Sequence, residues 1–100
     1  MPVIIHNRNA DEEIIKILKE FKSVKGVAHC FSSELMTAKL LLDMGLYISF
    51  AGNLTYKNSD LPEIAKEIPF DRLLVETDAP FLSPRPFRGK ENEPSRVKFV

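Results

Sequence analysis

The feature that most constrains this chain is the alternation of short, β-branched apolar runs with longer amphipathic stretches. Val3-Ile4-Ile5 opens the pattern, and its lack of polar alternation suits a strand buried on both faces. Asn9 and Glu12 have the spacing of a capping box, and Asp11, Glu12 and Glu13 put negative charge where a helix N-terminus favours it. Ile14, Ile15, Ile17, Leu18 and Phe21 follow at helical spacing, which predicts a helix from about Ala10 to Lys22. Gly26 then precedes a second apolar run, Val27 to Phe31. Ser32 or Ser33 is a candidate cap for the next helix, whose stripe is Leu35, Ala38, Leu41 and Leu42. Gly45 supplies its left-handed stop.

A third run spans Leu46 to Gly52. Asp60 with Glu63 reads as another capping box, opening a short helix that Pro69 ends. The fourth run is Leu73 to Asp78. Three strand–helix units and a fourth strand predict an α/β fold of parallel strands with right-handed crossovers. From Ala79 onward, Pro80, Pro84, Pro86 and Pro94 forbid regular structure until Pro94 to Val100, where a helix can start. The chain is thus expected to be one domain over residues 1–100: strand–helix units over 1–78, then a proline-rich loop.

Charge and targeting signals narrow the setting. Fourteen basic and fourteen acidic residues cancel, so the global balance argues for neither nucleic acid nor membrane. No apolar run approaches the roughly 20 residues of a membrane span. The N-terminus lacks the parts of a signal peptide. The single cysteine, Cys30, allows no intrachain disulfide, and a cytoplasmic location is expected. Cys30 itself reads as a buried strand residue, with no base partner at readable spacing. The loop has its own charge: Arg85, Arg88, Lys90, Arg96 and Lys98 face only Glu91 and Glu93. That suits a phosphate-bearing ligand, or else a solvated surface.

In parallel α/β folds ligands bind beyond the carboxyl ends of the strands. His6 closes the first strand, His29 lies near the end of the second and Asp78 closes the fourth. Two imidazoles and a carboxylate on one rim form a divalent-metal constellation. Each residue alone also fits a structural role, as a hydrogen-bonded histidine or a turn aspartate.

Several stretches resemble the TatD family of metal-dependent deoxyribonucleases, members of the amidohydrolase-like barrels. They are Pro2-Val-Ile-Ile-His-Asn-Arg8, His29-Cys-Phe-Ser32, Tyr47-Ile-Ser-Phe-Ala-Gly52, Leu73-Leu-Val-Glu-Thr-Asp-Ala-Pro80 and Arg88-Gly-Lys-Glu-Asn-Glu-Pro94. The resemblance implies a partial (β/α)8 TIM barrel, strands five to eight, with the chain as the C-terminal portion only. It makes His6, His29 and Asp78 metal ligands, with Asp78 also handling the proton of the attacking water. Arg8, Arg88, Asn92 and Glu93 become substrate-side residues, with Arg88 helping to hold phosphate and Asn92 and Glu93 bracing the loop. It implies Mg²⁺ for activity, with Zn²⁺ or Mn²⁺ also accepted, and DNA as substrate.

The chain departs from the family at Ser33, where Gly is usual, and at Asn7, where Ser is common. The family's His-x-His pair and bridging glutamate have no counterpart. The isolated chain is therefore expected to have little nuclease activity, and its copies to associate through exposed sheet edges. Two rivals stand beside this: a half-barrel that binds phosphate or nucleic acid without metal, and a small flavodoxin-like domain. The second is weakened because no glycine-rich loop follows the first strand.

Overall fold

A computed structural model of the chain describes residues 1–21 and 23–100. Four strands form one parallel sheet in the order β1-β2-β3-β4: β1 Val3–Ile5, β2 Gly26–Ala28, β3 Tyr47–Phe50 and β4 Leu73–Val75. Between them run α1 (Asp11–Glu20), α2 (Leu35–Asp43) and α3 (Leu61–Lys66). The strand–helix alternation is as the apolar rhythm requires. Backbone pairing carries past the short strands: His29 N–H donates to the Ile5 carbonyl and Glu76 N–H to that of Phe50. The strand ends therefore bring the segments after β1, β2 and β4 to one rim.

The core lies under the two central strands. Leu46, Ile48 and Phe50 are fully buried, and Ala28, Phe31, Ala38 and Leu41 close around them. Each such large side chain contributes about 1.5–3 kcal/mol. Phe31 meets Phe50 edge to face, with centroids 5.9 Å apart. Gly26 is required by contact: a Cβ there would lie 2.0 Å from the Val3 carbonyl oxygen. Gly45, at φ +90°, ends α2 as its sequence position predicts, its N–H donating to the Leu42 carbonyl.

Three expected helix caps are corrected. α1 carries no side-chain cap from Asn9, which itself sits at φ +54°; Asn7 Oδ1 accepts from Ala10 N–H instead. α1 ends at Glu20, and the expected terminus at Lys22 lies outside the described residues. Neither Ser32 nor Ser33 caps α2, because the Ser33 hydroxyl donates to Asp11 across the helix pair. Asp60 makes no cap bond to α3, where Ser59 Oγ accepts from Leu61 N–H and Glu63 pairs with Lys66.

Finally, β1 is not buried on both faces: it is an edge strand, and Ile4 is 77% exposed. On the opposite edge Val75 is 55% exposed. The tail is irregular as expected, and its last turn, Pro94–Phe99, is a 3-10 helix. Among the described residues no helix is long and apolar enough to cross a membrane.

Candidate metal centre

His6 and His29, each just beyond a strand, come together at the rim. His6 Nδ1 lies 2.9 Å from His29 Nε2, with ring centroids 5.2 Å apart. The other nitrogen of His29, Nδ1, is 3.0 Å from Glu76 Oε1. Glu76 Oε2 accepts from the Cys30 N–H at 3.0 Å. Burial pushes the Glu76 carboxyl up, but hydrogen bonds from Ser49, Cys30 and His29, with the charge of His29, outweigh it and hold its pKa below the usual value. Glu76 faces His29 Nδ1 as an acceptor, and in the neutral tautomer that donates to it the Nε2 lone pair is turned toward His6.

Two nitrogen ligands at about 2.0–2.1 Å from one cation and roughly 90–110° apart sit about 2.9–3.4 Å from each other. The His6–His29 spacing fits that requirement, and the carboxylate behind His29 is the usual orienting group. Among the described residues, however, no three of His, Cys, Asp and Glu are gathered as a metal site. The residues present fit two positions of an open coordination sphere.

Asp78 is half-buried on the segment after β4 and has no hydrogen bond to either imidazole among the described residues. The structure therefore brings together two of the three expected ligands. Asp78 does act on Cys30: burial, then the charges of Asp78 and Glu76, push that thiol up to about 11. Cys30 is accordingly a neutral thiol, and it lies half-buried in the turn after β2, not within the strand as its sequence position suggests.

The substrate-side residues separate. Arg8 is exposed, with no hydrogen bond or ion pair among the described residues. Arg88 lies over the Tyr56 ring, 4.0 Å from its centroid, and lines a cleft of about 820 Å³. Asn92 is buried, and its amide donates to the Phe81 carbonyl at 3.0 Å while its N–H donates to that of Pro80. Glu93 is exposed and accepts from Ser95. Asn92 thus shapes the loop from within. Gly52 lets this loop close, since a Cβ there would meet the Leu82 carbonyl oxygen at 1.9 Å.

Glu76 was not singled out by sequence reasoning. Its signal was available: a carboxylate in an apolar strand run, two positions before Asp78, needs a compensating partner.

The family described as TatD related DNase matches residues 1–100. That match takes in the chain from end to end and does not support the expectation of a C-terminal portion only. An uncharacterized metal-dependent hydrolase of Bacillus subtilis strain 168, YabD, is 53% identical over 103 residues, covering 100% of this chain and 40% of that protein. The Escherichia coli K12 protein YcfH, also an uncharacterized metal-dependent hydrolase, is 50% identical over 102 residues, covering 99% of this chain and 38% of its own length. Among solved structures, the TatD homolog YjjV of Escherichia coli K12 superposes with TM-score 0.89 at 31% identity, over 97% of this chain and 38% of that one. A TatD family hydrolase from Entamoeba histolytica gives TM-score 0.84 at 24% identity, over 98% of this chain and 41% of that one. The chain spans about two-fifths of the length of the curated relatives it matches. With four parallel strands, a histidine pair on their carboxyl rim and this match along its whole length, the chain belongs to the TatD family of metal-dependent hydrolases.

Proposed function

We propose that the chain contributes two imidazole ligands and a carboxylate to a metal-dependent hydrolase that cleaves phosphodiester bonds in DNA. The observation that carries this is the His6–His29 pair, spaced for one cation and oriented from behind by Glu76. A divalent ion, Mg²⁺ by family likeness, would lower the pKa of a water and neutralise developing phosphate charge. His6 and His29 would hold it through the ring nitrogens that face each other. Asp78, on the segment after β4, would supply the third ligand and accept the proton of the attacking water. Arg88 meets the phosphate.

The test begins with binding. Mn²⁺ titrated into the purified chain and followed by electron paramagnetic resonance should show one bound ion per chain. Binding should be weakened in His6→Ala and in His29→Ala. Equal binding by wild type and both variants overturns the proposal. Cleavage of single-stranded DNA with Mg²⁺ or Mn²⁺ should be slow and lost in Asp78→Ala. The absence of a gathered third ligand favours a second reading, a rim that binds nucleic acid without metal. Retention of single-stranded DNA at full affinity in chelator, with no Mn²⁺ bound, selects that reading instead.

A further inference from the structure

The sheet buries only one of its two faces. Register and alternation put Ile5, Ala28, Ile48, Phe50 and Leu73 on one face, and these pack with Ile15 of α1, Ala38 and Leu41 of α2 and Ile64 of α3. The same register puts Ile4, Val27, Tyr47 and Leu74 on the other face. None of these four packs against that core among the described residues, and Ile4, Tyr47 and Leu74 are 77%, 41% and 44% exposed. The strand order is the cause, because right-handed crossovers between successive neighbours set every helix on the same side. A parallel sheet is stable with both faces covered, so this one lacks a layer.

Both lateral edges are open as well: β1 pairs only with β2, and β4 only with β3. The chain exposes 6956 Å², where a compact monomer of its mass exposes roughly 5,800 Å². The excess of about 1,200 Å² is more than the roughly 800 Å² that each partner gives to a standard interface. We infer that a second copy of the chain covers this surface. A two-fold axis lays β1 of each copy beside β4 of the other, in parallel, and closes eight strands into one barrel. All four open edges disappear together. Ile4, Val27, Tyr47 and Leu74 of both copies then fill the interior, as bulky side chains do in eight-stranded barrels. An open stack of copies through the same edges would leave that face bare, so the apolar face selects the closed pair. Parallel joining also keeps every strand's carboxyl end on one rim, where the two His6–His29 pairs share one mouth. Nothing in this pairing depends on metal or cleavage, so it stands or falls apart from the hydrolase reading.

Sedimentation equilibrium of the full chain, from micromolar to millimolar concentration, should rise to twice the chain mass and stop there. Amide hydrogen exchange locates the contact. Val3 N–H and Glu76 N–H donate into the sheet, so by alternation those of Ile4 and Val75 point out of it. Both should exchange roughly tenfold more slowly, or slower still, once the pair forms, with one midpoint for the two edges. Ile4→Lys and Leu74→Glu should each be monomeric alone. Mixed in equal amounts they should recover the pair, through one native seam and one that sets lysine against glutamate. Should either variant fail to fold, the exchange pattern of the unaltered chain decides. A monomer throughout, mass growing past two copies, protection at one edge only, a pair without edge protection or a mixture of folded variants that stays monomeric overturns the inference.

Discussion

Thr37 of α2 donates its hydroxyl to the Asp11 carboxylate of α1 at 2.9 Å, so the first turn of one helix is latched to the body of the next. Ser33 donates to the same carboxylate at 2.7 Å, and Asn7 donates from the strand end. Burial alone would raise the Asp11 pKa, but these three hydrogen bonds outweigh it and hold it below 3.8. Such a group binds its proton more weakly folded than unfolded, so it stabilises the fold above the unfolded pKa. That contribution disappears as pH falls through the lowered folded value. Asp11→Asn should therefore be less stable than wild type at neutral pH, by about 1 kcal/mol. Thermal melts at steps below pH 4 should show the two proteins converging. A gap that stays constant down to acid refutes the latch.

Gly52→Ala tests the closure of the 79–92 loop. The added methyl overlaps a backbone oxygen, not a side-chain tip, so it has nowhere to go. A loss of roughly 3 kcal/mol is expected, at the upper end for overpacking. Urea denaturation reads it directly. Gly89→Ala is the contrast, since nothing lies within 4 Å of its Cβ position and only its φ of +92° opposes the change.

Glu76→Gln should leave the fold intact while releasing His29. In the metal-free protein, ring ¹⁵N shifts of His29 should report the proton on Nδ1 in wild type and a mixture of tautomers in the variant. Mn²⁺ affinity should fall by roughly 10- to 100-fold. Unchanged tautomer and affinity would show the 3.0 Å contact to be incidental.

The two outer strands carry the exposed aliphatics Val3, Ile4, Leu74 and Val75. A parallel edge with such side chains is a template for another strand. Light scattering should find mass rising with concentration, and Ile4→Lys should return the chain to a monomer. A wild-type monomer at every concentration ends this proposal.

Much of the fold was legible because one-dimensional periodicity carries it. Val27-Ala28 and Ile48-Ser49-Phe50 became central strands for the reason their composition suggests, and Ala38 and Leu41 turned inward at the spacing of one helix face. The expected caps at Asn9, Ser33 and Asp60 match a motif in local spacing, but Asn7 and Ser59 accept at the starts of α1 and α3, and Ser33 has a partner far along the chain. Ser33 went to Asp11, 22 residues away. The histidine pair was legible as two strand-end residues in register. Glu76 was harder, since its value comes from a ring 47 positions distant. Asp78 shows the opposite limit: strand position alone put it on the rim but did not set which atoms it would reach.

Buried Asn92, whose side chain and backbone N–H tie the far end of its loop back to Phe81 and Pro80, has a mechanical consequence. A clasp at the base of a loop uncouples its tip from its roots. Residues 85–90, Arg88 among them, can then shift at the tip while the framework beneath them keeps its shape.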